Sequence, residues 1–156
     1  MQGDPRAFTV LFRRFYSPVF SLCLRVIGNE AESHDVTQKT FIKAFGPSSG
    51  LDPDRPLSGW LFKIAVNLAI DETRRRRPEP LPPDVETSSS APIETKDLER
   101  VRAAILRLPP SYRAIVALHL QQDWDYHEIA GALGITPNLA RVRLFRALEM
   151  LRKELR

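Results

Sequence analysis

Apolar residues recur every three or four positions along most of the chain, a spacing that predicts amphipathic helices. The clearest stripe comprises Phe8, Leu11, Phe12, Phe15, Val19, Leu22 and Val26. Asp4 and Pro5 precede it as a predicted cap and first turn, and Gly28 is expected to end the helix. Strictly alternating runs and Asn-Gly hairpin signals are missing from the sequence. The pattern therefore predicts an all-α fold.

Two more helices are predicted in the first half of the chain. One should begin at Asn29, whose side chain can cap it, and should reach Phe45. Residues 46–58 are rich in Pro, Gly, Ser and Asp, which predicts a loop. Ser58 is then expected to cap a third helix, which runs to Arg77.

A change of composition divides the chain. Residues 78–92 hold five prolines, three serines and three acids, and proline fixes φ and removes backbone donors. This stretch predicts a flexible linker. We therefore expect two small helical domains, residues 1–77 and 95–156, joined by a linker over 78–94.

The second domain is predicted to open with two helices. The first lies near 96–107 and ends at Pro109-Pro110. Ser111 is expected to cap the second, which should run to about Gln121.

The end of the chain has the pattern of a helix-turn-helix. Asp125 and Glu128 have the spacing of a capping box, and Gly134 can take the left-handed conformation that ends a helix. Thr136 and Pro137 suit the cap and first turn of the next helix. That helix carries three arginines within two turns: Arg141, Arg143 and Arg146. The pattern is typical of a major-groove reader, and the alternative is an ordinary helix hairpin in a bundle.

A second group of polar residues lies on the predicted third helix. Asn67 and Asp71 are four positions apart, so they share a face, and four arginines follow at 74–77. Short polar side chains beside arginines could bond bases while the arginines hold phosphates. A solvated helix face explains the same spacing equally well.

Charge is unevenly distributed. The formal net charge is +4, with 12 basic and 8 acidic residues in 1–77, 1 and 6 in 78–99, and 10 and 5 in 100–156. Basic blocks suit contact with nucleic-acid phosphates, although solvated helix faces would look alike on charge alone.

The sequence offers little for enzyme chemistry. Its histidines (His34, His119 and His127) are scattered without zinc spacing, and phosphate-binding loops and nucleophile motifs are missing. We expect no catalytic residue, no metal and no cofactor. Cys23 lies on the apolar side of the first helix and is expected to be a buried structural thiol.

Three observations bear on location. The apolar runs are shorter than the roughly 18 residues of a membrane span, and the N-terminus shows no export signal. The single cysteine fits a reducing compartment. We expect a cytoplasmic protein without membrane insertion.

Three segments in order resemble bacterial sigma factors. Residues 35–45, DVTQKTFIKAF, are similar to the helix that grips core RNA polymerase. Residues 60–77, WLFKIAVNLAIDETRRRR, resemble the helix that reads and opens the minus-ten element. Residues 106–151, beginning LRLPPSYRAIVALH, resemble the module that reads the minus-thirty-five element. The length and linker resemble those of the extracytoplasmic-function (ECF) branch of the sigma-70 family.

This resemblance implies roles for particular residues. The polymerase contacts would be Asp35, Gln38 and Phe41. The minus-ten contacts would be Asn67, Asp71, Arg74, Arg75, Arg76 and Arg77, with the loop 46–58 receiving an extruded base. The minus-thirty-five contacts would be Asn138, Arg141, Arg143 and Arg146. Lys39 stands where the family mostly has Glu, and Asn138-Leu139 replaces a common Gly-Thr.

The resemblance also implies partners. They are core RNA polymerase, promoter DNA and an anti-sigma factor that holds the chain inactive. The sequence then predicts a factor that directs promoter-specific initiation, whereas the alternative is a free-standing helix-turn-helix regulator that does not bind polymerase.

Overall fold

The computed structural model describes residues 4–47, 49–52, 54–75, 93–121 and 124–156, with side chains omitted for 93–95. Within these ranges the chain is helical and contains no strand, which confirms the all-α prediction. The helices are α1 (Pro5–Ile27), α2 (Glu30–Phe45), α3 (Leu57–Arg75), α4 (Ile93–Arg107), α5 (Pro110–His119), α6 (Tyr126–Leu133) and α7 (Pro137–Glu154).

Local signals set the limits of the first two helices, as predicted. The Asp4 carboxylate accepts a hydrogen bond from the backbone N–H of Arg6 at 3.0 Å. The side-chain oxygen of Asn29 accepts a hydrogen bond from the backbone N–H of Glu32, also at 3.0 Å. Gly28 ends α1 at φ +81°, in the left-handed region that glycine enters without steric cost. These caps fix the corner between α1 and α2.

The buried side of α2 carries hydroxyl groups. Ser33, Thr37 and Thr40 are each fully buried. Their hydroxyls donate to the backbone carbonyls four residues earlier, at 2.5, 2.6 and 2.8 Å. Because every hydroxyl is paired, α2 packs against α1 and α3 without the cost of an unsatisfied buried group.

The second domain is built on α5, α6 and α7. An apolar stripe of α7 is buried, at Ala140, Leu144, Ala147 and Leu151. It packs against α5 and α6, whose buried residues include Ile115, Leu118 and Ile129.

Three predicted helix starts are wrong. Ser58 and Ser111 lie inside the first turns of α3 and α5, so neither is a cap. At α5, Pro109 occupies the cap position without a side-chain hydrogen bond and Pro110 is the first helical residue, because proline already has helical φ. The helix predicted near 96 begins at Ile93. Most of the predicted linker, residues 78–92, lies outside the described residues.

The two helical domains pack against each other. Helix α1 contacts α4 and α5, and α3 contacts α5 and α6. Apolar contacts and hydrogen bonds between side chains and backbone both contribute to this boundary. One example is the edge-to-face contact of Phe62 with Trp124, with ring centroids 5.8 Å apart. The arrangement places α3 between α2 and the helix-turn-helix.

Among the described helices, none combines the length and the apolar character that a membrane crossing would need.

Candidate nucleic-acid and polymerase interfaces

The helix-turn-helix is formed by α6 and α7 with the predicted local geometry. The Asp125 carboxylate accepts from the N–H of Glu128, and the Glu128 carboxylate accepts from the N–H of Asp125, both at 2.9 Å. Gly134 has φ +67°, and the Thr136 hydroxyl accepts from the N–H of Leu139 at 3.2 Å. These caps hold the turn between the two helices and so fix the direction of α7.

The outer face of α7 carries the predicted DNA contacts. Asn138, Arg141 and Arg146 are exposed, and Arg143 is half-buried at the edge of the packed stripe. The side-chain oxygen Oδ1 of Asn138 accepts a hydrogen bond from Arg141 Nη2 at 2.9 Å. Asn138 therefore orients the guanidinium of Arg141 in the first turns of the helix.

Sequence reasoning missed an aromatic residue on this face. The Phe145 side chain is 61% exposed, between the positions of Arg141 and Arg146. An exposed phenyl ring on a basic helix can contact the methyl group of thymine in the major groove. The sequence did contain a signal for this exposure, because Phe145 lies outside the apolar stripe of the helix, which ends at Leu151.

The exposed face of α3 carries the second group. Lys63, Asn67 and Asp71 are exposed at four-residue spacing, and Arg74 and Arg75 are exposed in the last turn. Arginines at the end of a helix also complement its dipole. The predicted contacts Arg76 and Arg77 lie outside the described residues.

Asn67 is engaged across the domain boundary. Its Nδ2 donates to the backbone carbonyl of Lys63 at 2.7 Å and to that of Ala132, in α6, at 3.0 Å. The side chain that was predicted to contact the minus-ten element thus donates a hydrogen bond to the helix-turn-helix.

Asp52 makes local contacts within the predicted base-receiving loop. The Asp52 carboxylate accepts from the N–H of Asp54 at 3.0 Å and pairs with Arg55 at 3.4 Å. Residues 48 and 53 of this loop lie outside the described part of the chain.

The outer face of α2 presents two of the three predicted polymerase contacts. Asp35 and Gln38 are exposed, and the Asp35 carboxylate pairs with Lys39 Nζ at 3.4 Å. Ile42 continues this face and is 72% exposed. Sequence reasoning missed Ile42, although an isoleucine on the polar side of an amphipathic helix is a signal.

Phe41 does not belong to that face, which corrects the prediction of a surface contact. Its side chain is 1% exposed, and its ring lies 4.9 Å from the ring of Phe12 and 6.2 Å from that of Phe45. Phe41 lies in the aromatic core that holds α2 on α1.

Cys23 is buried, in keeping with the predicted structural thiol. Burial raises the pKa of its thiol to about 12, because the thiolate would lose its hydration. The described residues contain no cluster of three or more side chains of the types that hold a metal ion.

The three predicted groups therefore lie on three surfaces. The α2 face and the α7 face are open, and the α3 face meets α6 at Asn67. Each surface carries groups suited to recognition through charge and hydrogen bonds.

Comparison with known proteins matches both domains. The family described as Sigma-70 region 2 matches residues 11–79, and Sigma-70, region 4 matches residues 98–151. The chain is 28% identical to the ECF RNA polymerase sigma factor SigW of Bacillus subtilis (strain 168), over 99% of this chain and 92% of that protein. It is 31% identical to the RNA polymerase sigma factor CarQ of Myxococcus xanthus, over 97% of this chain and 90% of CarQ.

A solved structure has the same fold. CnrH, in complex with the cytosolic domain of CnrY, superposes with a TM-score of 0.74 at 27% identity, covering 98% of this chain and 90% of CnrH. Two family regions in the right order and full-length relatives agree with the helix-turn-helix and the α3 face. The chain belongs to the ECF branch of the sigma-70 family and is an RNA polymerase sigma factor.

Proposed function

We propose a division of labour in which three helices carry the contacts of this sigma factor with polymerase and promoter. Residues 1–77 bind core RNA polymerase and the minus-ten element, 78–94 join the domains, and 95–156 read the minus-thirty-five element. The observation that carries the proposal is a surface property that α3 and α7 share, one helix in each domain. Both helices present exposed guanidinium and amide groups on one face.

Helix α7 reads the minus-thirty-five element in the major groove. Arginine can bond guanine O6 and N7 together, and lysine or arginine on the flanks holds phosphates. Arg141, Arg143 and Arg146 supply the guanidinium groups. Asn138 supports Arg141 through the 2.9 Å hydrogen bond, and Phe145 adds an apolar contact.

Helix α3 captures bases of the minus-ten element after they leave the stack. Unstacking a base costs a few kcal/mol, which a site that binds the free base can offset. Asn67 and Asp71 offer an amide and a carboxylate to base edges, and Arg74–Arg77 hold the adjacent phosphates. Strand opening thereby becomes favourable where the sequence fits.

Helix α2 docks on the polymerase through its outer face. Asp35, Gln38 and Lys39 give polar contacts and Ile42 an apolar one. Phe41 contributes indirectly from the core. Its packing against α1 fixes the orientation of α2 and therefore of the outer face that meets polymerase. The polymerase carries out catalysis, and the sigma factor selects and opens the start site.

Two further expectations follow from this role. The factor works where polymerase and the chromosome are, in the cytoplasm. CnrH has been solved bound to the cytosolic domain of a second protein, which supports the proposal that an anti-sigma factor also binds this chain.

A run-off transcription assay tests the proposal. Purified core RNA polymerase is mixed with the protein and with fragments of its own genome, and the 5′ ends of the transcripts are mapped. We expect transcripts that start at a fixed distance from a shared pair of elements. Asn67→Ala should reduce opening at these promoters, and the exposed Arg100→Ala, on α4, should not.

The same material separates this role from that of a free-standing regulator. A sigma factor should bind promoter fragments weakly alone and tightly with core enzyme. Tight binding to a palindrome without polymerase, together with no transcript and no binding to core, would contradict the proposal.

A further inference from the structure

We infer that a cavity between α1 and α4 is a binding site for a small organic phosphate, whose phosphate group lies between Arg25 and Arg102. The cavity is lined by α1 and α4 alone. It is therefore separate from the faces of α2, α3 and α7 to which polymerase and promoter contacts are assigned above, and the inference does not depend on that assignment.

The cavity forms where one face of α1 lies across from one face of α4. Its volume is about 320 Å³, within the range of roughly 300–1,000 Å³ that is typical of small-molecule sites. On each helix the lining residues are three or four positions apart, so each helix supplies one continuous wall. The lining residues are Ser21, Leu24, Arg25, Gly28, Arg102, Ile105 and Leu106.

Each wall contributes one arginine to the cavity. Arg102 is exposed and Arg25 is half-buried. Arg25 Nη1 donates to Oε1 of Gln121 at 2.7 Å, which restrains the guanidinium at the side of the cavity. Because a guanidinium has five N–H donors, this hydrogen bond leaves others for a ligand, and the Ser21 hydroxyl adds a further donor.

The positive charge at this cavity has no local counter-charge. Within the described residues, neither Arg25 nor Arg102 forms an ion pair with a carboxylate. Burial, together with the nearby charge of Arg102, lowers the pKa of Arg25. An anion between the two guanidinium groups would reduce their repulsion, and a concave site concentrates the field that attracts it.

The balance of charge favours a phosphate monoester as the ligand. Such a group carries about −1.5 to −2 charges at pH 7, which matches two guanidinium groups, whereas a carboxylate carries one. The planar fork of arginine also fits two oxygens of one phosphate. A phosphate in contact with both arginines would be held from both walls.

The rest of the cavity is apolar. Leu24, Ile105 and Leu106 line it beside the two arginines. Gly28 lies so close to Leu106 that a Cβ at this position would be 2.6 Å from Leu106 Cδ2, so the two walls meet there. Carbon groups attached to the phosphate can pack on these side chains, which favours an organic phosphate over the inorganic ion.

A titration of the full-length protein with phenyl phosphate tests this site. Backbone amide NMR signals are followed at constant pH, with sodium chloride adjusted to keep the ionic strength constant. We expect saturable shifts at the amides of residues 21–28 and 102–106. Inorganic phosphate should shift the same signals but bind more weakly, because it lacks the apolar part.

Three variants show whether Arg102 holds the phosphate. Arg102→Ala should weaken phenyl phosphate binding on the order of tenfold, because a charge-assisted hydrogen bond is lost. Arg102→Lys keeps the charge without the planar fork and should weaken binding less. Arg100→Ala is the charge-matched control, since Arg100 is exposed on α4 and pairs with Asp97 at 3.8 Å; it should bind phenyl phosphate as the wild type does.

The possible outcomes separate the parts of the inference. The site is overturned if phenyl phosphate causes no saturable shift at these amides, or if Arg102→Ala and Arg100→Ala bind it equally well. Equal affinity for hexanoate and phenyl phosphate would overturn the preference for phosphate. Each of these results leaves the proposed function standing, because the run-off assay with core polymerase tests that function separately.

Discussion

At the scale of single residues, the surroundings of each polar group decide what it can do. Arg143 and Arg146 both lie on α7, yet Arg146 is exposed and Arg143 lies half-buried beside the packed stripe. A half-buried arginine loses less side-chain entropy on binding, because its packing already restricts its rotamers. Arg143 is therefore the better oriented of these two proposed contacts.

Arg143→Ala should weaken use of the minus-thirty-five element by about 1–3 kcal/mol if the guanidinium contacts a base edge. Transcription in vitro from promoters with single substitutions in that element measures the loss. Arg152→Ala removes the same charge from the last turn of α7 and should change little. If Arg143→Ala keeps the wild-type preference among minus-thirty-five sequences, Arg143 is not one of the residues that contact the bases of this element.

Cys23 predicts a pH dependence. Its pKa is raised from 9.0 to about 12 in the folded chain, so the folded state favours the neutral thiol more than the unfolded state does. This contribution to stability is complete below pH 9 and is lost as the pH rises toward 12. Unfolding in urea between pH 8 and 11 should therefore show a steeper loss of stability for wild type than for Cys23→Ala.

Alkylation gives an independent check on the same thiol. Iodoacetamide should modify Cys23 slowly at pH 8 in the native protein and rapidly in denaturant, because only the thiolate reacts. Equal rates in the two conditions would show that the thiol is accessible in the folded state.

At the scale of elements, the sequence predicted helix ends well where several neighbouring residues together form a cap. Asp125 with Glu128, Gly134 and Thr136 all act as the sequence indicated. Ser58 and Ser111 failed because a serine near a helix start can lie inside the first turn as easily as at the cap. The residue type alone does not tell these positions apart.

The capping box should contribute measurable stability. Asp125→Ala removes the acceptor for the N–H of Glu128, at a cost of about 1 kcal/mol. Urea unfolding measures this difference. Asp97→Ala, which breaks only an exposed ion pair at 3.8 Å, should cost less than about 0.5 kcal/mol. Equal losses in the two variants would argue against the cap.

Phe41 shows how a resemblance and a pattern can disagree. The resemblance assigned it to the polymerase-binding surface. The spacing of Val36, Thr37, Thr40 and Ala44, all buried, places Phe41 on the packed side of α2. The helical period was therefore the better guide to its burial, and the exposed Ile42 one position later takes the place on the outer face.

At the scale of the whole molecule, the sequence could not predict how the domains meet. Arg113 and Gln121 bond residues 87 and 103 positions away in the chain. Polar side chains at such separation leave no periodic signal, and both residues look like ordinary surface positions. The helices and the exposed polar faces of α3 and α7 were predictable, whereas the hydrogen bond of Asn67 to the Ala132 carbonyl required the tertiary structure.

Gly28 connects backbone geometry with the domain boundary. Gly28→Ala places a Cβ at φ +81°, which costs about 1–2 kcal/mol, and directs it at the flexible end of Leu106. Thermal or urea unfolding should show this loss. Combined with Leu106→Ala, it should cost less than the sum of the two single losses, because the clash disappears while the backbone strain stays. Strict additivity would place Leu106 away from Gly28.

The contact of Trp124 with Phe62 gives the protein a built-in optical probe. The chain has two tryptophans, Trp60 in α3 and Trp124 at the domain boundary, and the indole of Trp124 is half-buried against the ring of Phe62. In the variant Trp60→Phe, all tryptophan fluorescence would come from Trp124 at the domain boundary. Separation of the domains would move that indole into water and shift its emission to longer wavelength. Stopped-flow fluorescence could then time the arrival of polymerase without any attached dye.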